Sequence, residues 1–280
     1  MTEIKEINYL NINDVTLKLH IYEPKNNTSE KTACIIFFFC GGWNGFEINK
    51  LSPQSSYLSS RGIKCINAEV RVNPIHNTTP IECIKDAKSA VRWVRANADK
   101  LNIDTGKIIT AGGSAAGHVS ICTSLIDQYD NETDDTSISC KPNAMVLFNP
   151  VLNTTTKEKR IEKLGGIEIA QSISPIHHLN ENIPPTLVMH GTNDETVLCE
   201  QATEFKEAMD KINRPCTLHL YEGEGHGFFN YFDGNNKYFV ETLKATDDFL
   251  TSLGYLSSGE DVDNFNYNES ELTIENISEL

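Results

Sequence analysis

Short apolar runs recur along the chain and alternate with stretches in which apolar residues return every three or four positions. Runs without polar alternation are typical of parallel strands buried on both faces, and the recurring spacing is typical of amphipathic helices. The runs cover residues 33–39, 63–70, 107–111, 144–148, 186–189 and 217–221, and the helical stretches cover residues 81–100, 202–212 and 238–253.

The alternation of strands with helices predicts the fold class α/β, with a mainly parallel twisted sheet and helices on both of its faces. The start of the chain differs, because apolar and polar positions alternate strictly over residues 15–21 after the turn signal Asn13-Asp14. This pattern predicts an N-terminal antiparallel hairpin. In a mainly parallel sheet, functional side chains collect at the carboxyl ends of the strands.

The length of 280 residues suits one large domain, which we expect over residues 1–255. Residues 151–184 lie between two strand runs but are polar, and we interpret them as a small cap over the strand ends. Residues 256–280 are acidic, rich in Asn and poor in large apolar side chains, which predicts a disordered tail. The alternative is a tail that docks on the domain through Leu272, Ile274 and Ile277.

The formal net charge is −15, and seven of the acidic residues lie in the tail, which contains no Lys or Arg. This charge disfavours nucleic acid and anionic membranes as partners, because both attract the opposite sign. The N-terminal residues do not resemble a targeting segment and no run reaches the ~20 apolar residues of a membrane span, so we expect a cytoplasmic protein. Metal-ligand clusters and phosphate-binding glycine motifs are absent from the sequence, so we expect no metal and no cofactor.

The segment GGSAAGH at residues 112–118 directly follows the apolar run 107–111. Small residues around Ser114 allow a sharp strand-to-helix turn that presents the hydroxyl to a base and to a substrate. The segment matches the pattern G-x-S-x-G except that Ala116 stands in place of the last glycine. We interpret Ser114 as a candidate nucleophile.

A serine nucleophile needs a base to take its proton and an acid that orients the base. His226 lies in a glycine-flanked loop after the strand run 217–221, and Asp194 lies just after the run 186–189. The chain order Ser, Asp, His is the one expected for a triad in this architecture. We therefore interpret Asp194 as the candidate acid and His226 as the candidate base.

The third requirement is a set of N–H donors where negative charge develops on the substrate oxygen. Gly41 and Gly42 follow the apolar run 33–39, and consecutive glycines let backbone N–H groups point into a site. Together with the N–H of Ala115, they would form an oxyanion hole.

Each of these residues also has a purely structural interpretation. Ser114 could lie in an ordinary glycine-rich turn, Asp194 could cap the following helix, and His226 could simply be exposed. The glycine loop after residues 33–39 could be a tight turn. The catalytic interpretation is favoured by the coincidence of three suitable residue types in the expected order, each at a strand end.

Extended segments resemble the α/β-hydrolases, and within them the acetyl esterase group related to hormone-sensitive lipase and to feruloyl- and xylan-esterase-like proteins. The segments span about residues 30–250 and read FFFCGGWNG, ECIKDAKSAVRWVRANADKLNID, GGSAAGH, FNPV, PPTLVMHGTNDETV and YEGEGHGFFN. The resemblance implies Ser114 as nucleophile, Asp194 as acid and His226 as base. It also implies that Gly41 and Gly42 occupy the position of the family's HGGG-type loop.

The chain departs from the family pattern where Phe39 and Cys40 replace His-Gly and where Ala116 replaces a glycine. The resemblance implies a cofactor-independent serine hydrolase that cleaves short-chain carboxylic esters, with acetyl expected, through an acyl-enzyme. The expected partner is a small-molecule ester such as an acetylated sugar, and a homo-oligomer stays open. Two competing hypotheses are a prolyl-oligopeptidase-like peptidase and a non-catalytic binding protein with a hydrolase fold.

Overall fold

One mixed sheet organises the computed structural model, which describes residues 2–24, 30–232, 236–259 and 262–280. Its strands in these ranges are β1 (Thr2–Ile12), β2 (Val15–Tyr22), β3 (Thr32–Phe38), β4 (Lys64–Ala68), β5 (Ile103–Gly113), β6 (Ala144–Phe148), β7 (Thr186–Gly191), β8 (Cys216–Tyr221) and β9 (Leu272–Asn276). Across the sheet they follow the order β8-β7-β6-β5-β3-β4-β2-β1-β9.

Helices connect most of these strands. They are α1 (Ser52–Ser60), α2 (Pro80–Ala96), α3 (Ala115–Leu125), α4 (Glu158–Leu164), α5 (Ile167–Ser172), α6 (Glu200–Lys211) and α7 (Lys237–Ser252). Strands β1 and β2 pair antiparallel, whereas the neighbouring pairs from β4 across to β8 are parallel. The predicted mainly parallel sheet with an N-terminal hairpin is confirmed. Within the described ranges, helices long and apolar enough to traverse a bilayer do not occur.

Both faces of the sheet are covered at its centre, which explains why the central strands lack polar alternation. Successive side chains of a strand point to opposite faces. In β3, Ile36 and Phe38 enter the core beneath α2, α3 and α6, whereas Ile35 and Phe37 enter the core beneath α1 and α7. Because both directions lead into apolar surroundings, most positions of the central strands carry an apolar side chain.

Two segments differ from the sequence predictions. The prediction that the run 217–221 is buried on both faces is wrong, because β8 is an edge strand and Leu220 is 45% exposed. Helix α1 was not predicted, because its sequence SPQSSYLSS has no apolar stripe, yet its first eight residues are buried. An apolar run does not distinguish an edge strand from a central one. The burial of a serine-rich helix cannot be predicted from apolar periodicity, because its buried residues are mostly polar.

The tail also differs from its predicted disorder, since β9 pairs parallel with β1 and places Ile274 opposite Ile4. The N–H of Ile277 donates to the carbonyl oxygen of Glu6 at 2.9 Å. This arrangement is the docked alternative: Leu272 and Ile277 pack against the core, whereas Ile274 is 57% exposed. The composition of the tail could not predict this pairing, because the hydrogen-bonding partners belong to the edge of β1. Residues 260 and 261 of the tail lie outside the described ranges.

Candidate active site

Ser114 lies in a strained turn between the end of β5 and the start of α3. Its φ of 56° and ψ of −120° are rare for a residue with a side chain. The Ser114 N–H donates to the carbonyl oxygen of Phe148 at 2.9 Å, and the Ser114 carbonyl accepts from the N–H of Val151 at 3.2 Å. These hydrogen bonds hold the turn, which carries the hydroxyl beyond the carboxyl end of β5.

The missing glycine at position 116 is accommodated by the glycine opposite it. A Cβ added at Gly112 would lie 2.7 Å from the carbonyl carbon of Ala116 and 2.9 Å from its methyl carbon. A Cβ at Gly117 would lie 2.9 Å from the Cβ of Pro150. The start of α3 therefore packs against β5 and the segment after β6 at distances that require Gly112 and Gly117. The methyl group of Ala116 fits because Gly112 has none.

The structure brings the three triad candidates into one chain of hydrogen bonds. The Nε2 atom of His226 lies 2.9 Å from the Oγ of Ser114, and its Nδ1 lies 2.7 Å from the Oδ2 of Asp194. If Nδ1 carries the proton and donates it to the carboxylate, Nε2 is free to accept the hydroxyl proton of Ser114. The side chain of His226 is 27% exposed, whereas that of Asp194 is fully buried.

Asp194 is held as a carboxylate by several donors. Its Oδ1 accepts from the N–H groups of Thr196 and Val197 at 2.9 Å each, and its Oδ2 also lies 3.3 Å from the Nε2 of His190. Burial alone would raise the pKa of the Asp194 carboxyl. The hydrogen bonds from His190, His226 and Val197 outweigh burial and hold that pKa well below its usual range.

The glycine loop after β3 offers backbone donors beside the serine. Residues Gly41–Trp43 form a single 3₁₀ turn in which Gly42 has φ 59°, and the N–H of Trp43 donates to the carbonyl oxygen of Cys40 at 2.6 Å. Among the described residues, the N–H groups of Gly41, Gly42 and Ala115 form no hydrogen bond. These three predicted donors therefore have their hydrogens available.

A buried histidine joins the glycine loop to the elbow. The Nε1–H of Trp43 donates to the Nδ1 of His118 on α3 at 3.3 Å, and the His118 Nε2–H donates to the carbonyl oxygen of Ile173 at 2.7 Å. Burial lowers the pKa of His118 to about 4, which keeps the ring neutral and gives each nitrogen one role. This link ties the loop, the elbow helix and residues 151–184 together.

The triad candidates open into a cavity of about 390 Å³. This volume lies at the small end of ligand pockets. Apolar walls come from Phe39, Leu51 and Phe229. The other lining residues described are Gly41, Gly42, Lys50, Gly113, Ser114, Asn149, Thr196, His226, Gly227 and Asn230. The cavity therefore suits a small, partly apolar ligand next to the serine hydroxyl.

Sequence reasoning missed four polar residues of this cavity, namely Lys50, Asn149, Thr196 and Asn230. The Nδ2 of Asn149 lies 3.2 Å from the Nδ1 of His226, and its buried Oδ1 has no hydrogen-bond partner in the described part of the chain. The sequence feature that could have indicated Asn149 is the Asn-Pro pair directly after the apolar run 144–148. Lys50 also lines the cavity, but it lies in a segment without a recognisable pattern, and only its position after the glycine loop pointed to the site.

Comparisons with known proteins agree with this architecture. The family model BD-FAE matches residues 19–209, and the model of the dienelactone hydrolase family matches residues 166–253. Esterase LipC of Mycobacterium tuberculosis is 30% identical over 229 residues, which cover 75% of this chain and 56% of LipC. The chain spans about half the length of the curated relatives with which it aligns first.

Solved structures are similar over nearly the whole chain. The apo form of Thermogutta terrifontis esterase 2 has a TM-score of 0.86 and 38% identity, covering 92% of this chain and 97% of the esterase. Its propionate-bound form matches with the same values. The BD-FAE match covers well over half of the chain, and the sheet, hairpin and helices follow the neighbouring esterases. The chain therefore belongs to the BD-FAE family, within the esterase group of the α/β-hydrolases.

Proposed function

We propose that the protein hydrolyses carboxylic esters with Ser114 as nucleophile, His226 as general base and Asp194 as the acid that orients His226. The observation that carries the proposal is the hydrogen-bonded chain from Ser114 Oγ through His226 to a buried, charged Asp194 at the wall of a small cavity. The family membership supports the same chemistry.

The geometry supports a two-step mechanism. In the first step, His226 Nε2 accepts the Ser114 hydroxyl proton while Oγ attacks the ester carbonyl, and the protonated ring then gives that proton to the leaving alcohol. In the second step, His226 activates a water that hydrolyses the acyl-enzyme. Asp194 fixes the proton on Nδ1 and stabilises the charged ring.

Negative charge on the carbonyl oxygen would be stabilised by the N–H groups of Gly41, Gly42 and Ala115. They are free for this role, because the described residues do not accept from them. One such donor is typically worth about 10²–10³ in turnover. The hydrogen bond from the Trp43 N–H to the Cys40 carbonyl oxygen and the link from Trp43 to His118 hold the loop in shape before substrate arrives.

We expect short acyl groups, acetyl above all, as on an acetylated sugar or a small aryl alcohol. The cavity of about 390 Å³, bounded by Phe39, Leu51 and Phe229, supports this size class. The similar esterase 2 has been captured with propionate, itself a short acid. Long acyl chains would have to leave the cavity and lie in water.

The test combines turnover with covalent labelling. Purified protein is assayed on p-nitrophenyl acetate, p-nitrophenyl octanoate and an aminoacyl amide, and a fluorophosphonate adduct is mapped by mass spectrometry. We expect acetate to be the best substrate and the adduct to lie on Ser114. Ser114→Ala should lose both, whereas the exposed control Ser139→Ala should keep both. Absence of an adduct would favour a binding protein, and amide turnover without ester turnover would favour a peptidase.

A further inference from the structure

We propose that the preferred esters carry an anionic group, such as a second carboxylate, and that Lys50 is the specificity-determining residue that binds it. The inference rests on the proposed ester hydrolysis and names a substrate class for the same site. It starts from an imbalance of charge, because the chain as a whole is strongly acidic but the cavity beside Ser114 is not.

Lys50 is a cavity-lining residue whose ammonium group is unpaired in the described part of the chain. It is the third residue of the short turn Ile48–Leu51, and both Lys50 and Leu51 line the cavity wall. Within the described ranges, its Nζ has no hydrogen-bond or ion-pair partner, and Glu47 three positions earlier is exposed and does not pair with it. Its three N–H donors therefore remain available to a ligand.

The described lining contains no carboxylate that would compete for this ammonium group. The nearest catalytic acid, Asp194, has a fully buried side chain behind His226 and is already bonded to it. An anionic substrate would therefore meet a lysine rather than a like charge. The apolar wall formed by Phe39, Leu51 and Phe229 limits solvent screening of that contact.

Three further cations of residues 151–184 bind backbone carbonyls of residues that line the same cavity. Lys163 of α4 donates to the carbonyl oxygen of Gly42 at 2.7 Å. Lys157 and Arg160 both donate to the carbonyl oxygen of Thr196, at 2.8 Å and 3.3 Å. Their partners are backbone dipoles and not carboxylates, so their charges are not neutralised. Gly42 and Thr196 both line the cavity.

The acidic residues nearest to these cations in sequence are directed elsewhere. Glu158, Glu162 and Glu195 are exposed, and within the described chain none of them forms an ion pair with the lysines or the arginine of this group. These three cations and Lys50 thus form a positive region beside the cavity on an acidic protein. Such a region raises the local concentration of anions and their rate of entry.

The first test compares matched esters that differ in charge. Monomethyl succinate and methyl butyrate place a carboxylate or a methyl group at the same position of the acyl chain. The pair 4-acetoxybenzoate and 4-acetoxybenzamide makes the same comparison on the alcohol side. We expect a preference for the anionic member of at least one pair, expressed as a ratio of kcat/KM, and we expect added salt to reduce that preference.

Variants assign the preference to Lys50. Lys50→Met should lower the ratio of anionic to neutral kcat/KM by about tenfold, as loss of a charged hydrogen bond does, and Lys50→Arg should retain most of it. The control is Lys100→Met, which removes the same charge from an exposed site. Lys100 lies just before β5, at the amino end of that strand and away from the carboxyl end that carries Ser114. It should leave the ratio unchanged. A Lys50→Met variant that changes both members of each pair equally would overturn the inference and leave ester hydrolysis standing.

A binding measurement separates this inference from the proposed function. Ser114→Ala protein should bind monomethyl succinate or 4-acetoxybenzoate more tightly than the neutral partner, and Lys50→Met in that background should remove the difference. Equal binding of the charged and neutral members would overturn the inference. Failure of the unmodified protein to hydrolyse any ester would count against the proposed function, while the binding result would still decide the role of Lys50.

Discussion

The backbone of Gly191, at the end of β7, touches the backbone of Glu224 in the loop after β8. A Cβ at position 191 would lie 2.3 Å from the Glu224 carbonyl oxygen, and that oxygen also accepts from the N–H of Asn193 at 2.9 Å. The first loop carries Asp194 and the second carries His226. Their hydrogen bond of 2.7 Å therefore depends on a close contact between two backbones.

Replacing Gly191 with Ala should damage catalysis without altering a catalytic side chain. Backbone atoms must move by about 1 Å to admit the methyl group, and a displacement of that size costs about 10² in turnover. We expect kcat on p-nitrophenyl acetate to fall by about that factor. Gly225→Ala is the matched control in the second loop, because its Cβ would lie 4.0 Å from the nearest atom, the carbonyl oxygen of Asn193. Equal losses in both variants would contradict the argument.

Asp194→Asn should lower kcat by about 10³–10⁴ while the protein stays folded. The amide presents an N–H toward the Nδ1 of His226, so the ring proton moves to Nε2, where it prevents acceptance of the Ser114 proton. Steady-state kinetics on p-nitrophenyl acetate measures the effect. Asp135→Asn removes a carboxylate from an exposed loop and should retain full activity. Activity within tenfold of the unmodified protein would exclude Asp194 as the triad acid.

The neutral, buried ring of His118 predicts a loss of stability in acid. Its pKa is lowered to about 4 in the folded protein from 6.5, so below pH 6.5 the unfolded chain binds a proton that the folded chain does not. Stability is thus complete above pH 6.5 and falls as the pH drops toward 4. Between pH 7 and pH 4.5, the unfolding free energy should fall by about 2 kcal/mol more than in His118→Gln.

Urea unfolding at the two pH values measures this difference. His219→Gln is the control, since His219 is exposed on β8 and its replacement should leave the pH dependence unchanged. If His118→Gln shows the same acid sensitivity as the unmodified protein, protonation of His118 is not its cause.

Ala116→Gly restores the glycine of the G-x-S-x-G pattern, and we expect no gain from it. The methyl group of Ala116 already fits opposite Gly112, and glycine in a helix costs about 0.5–1 kcal/mol relative to alanine. The free energy of unfolding should fall by about 1 kcal/mol, with kcat within about twofold. A tenfold rise in kcat would show instead that Ala116 holds the elbow away from its best geometry.

The sheet and the proximity of the three triad candidates could be predicted from the sequence, and both predictions rest on the burial of parallel strands. Strands buried on both faces leave continuous apolar runs, and parallel strands bring their carboxyl ends to one edge. Ser114, Asp194 and His226 each follow such a run, so their proximity could be anticipated.

Features that depend on contacts between distant segments could not be anticipated in this way. Asn149 meets His226 only because two loops converge, and Lys50 reaches the cavity through a turn without a sequence pattern. The burial of α1 depends on polar side chains whose partners lie elsewhere in the chain. The pairing of β9 depends on an unoccupied edge, which is a property of the folded sheet and not of the tail.

The pairing of β9 with β1 also affects whether separate copies of the chain can associate through the edge of the sheet. Without β9, the 11-residue strand β1 would present a row of unpaired N–H and C=O groups, the kind of edge on which further chains assemble into aggregates. The strand that takes this position is only five residues long, carries Glu275 and follows Glu271. The tail therefore occupies the edge of β1 at residues 2–6, where a second chain would meet a short strand and negative charge.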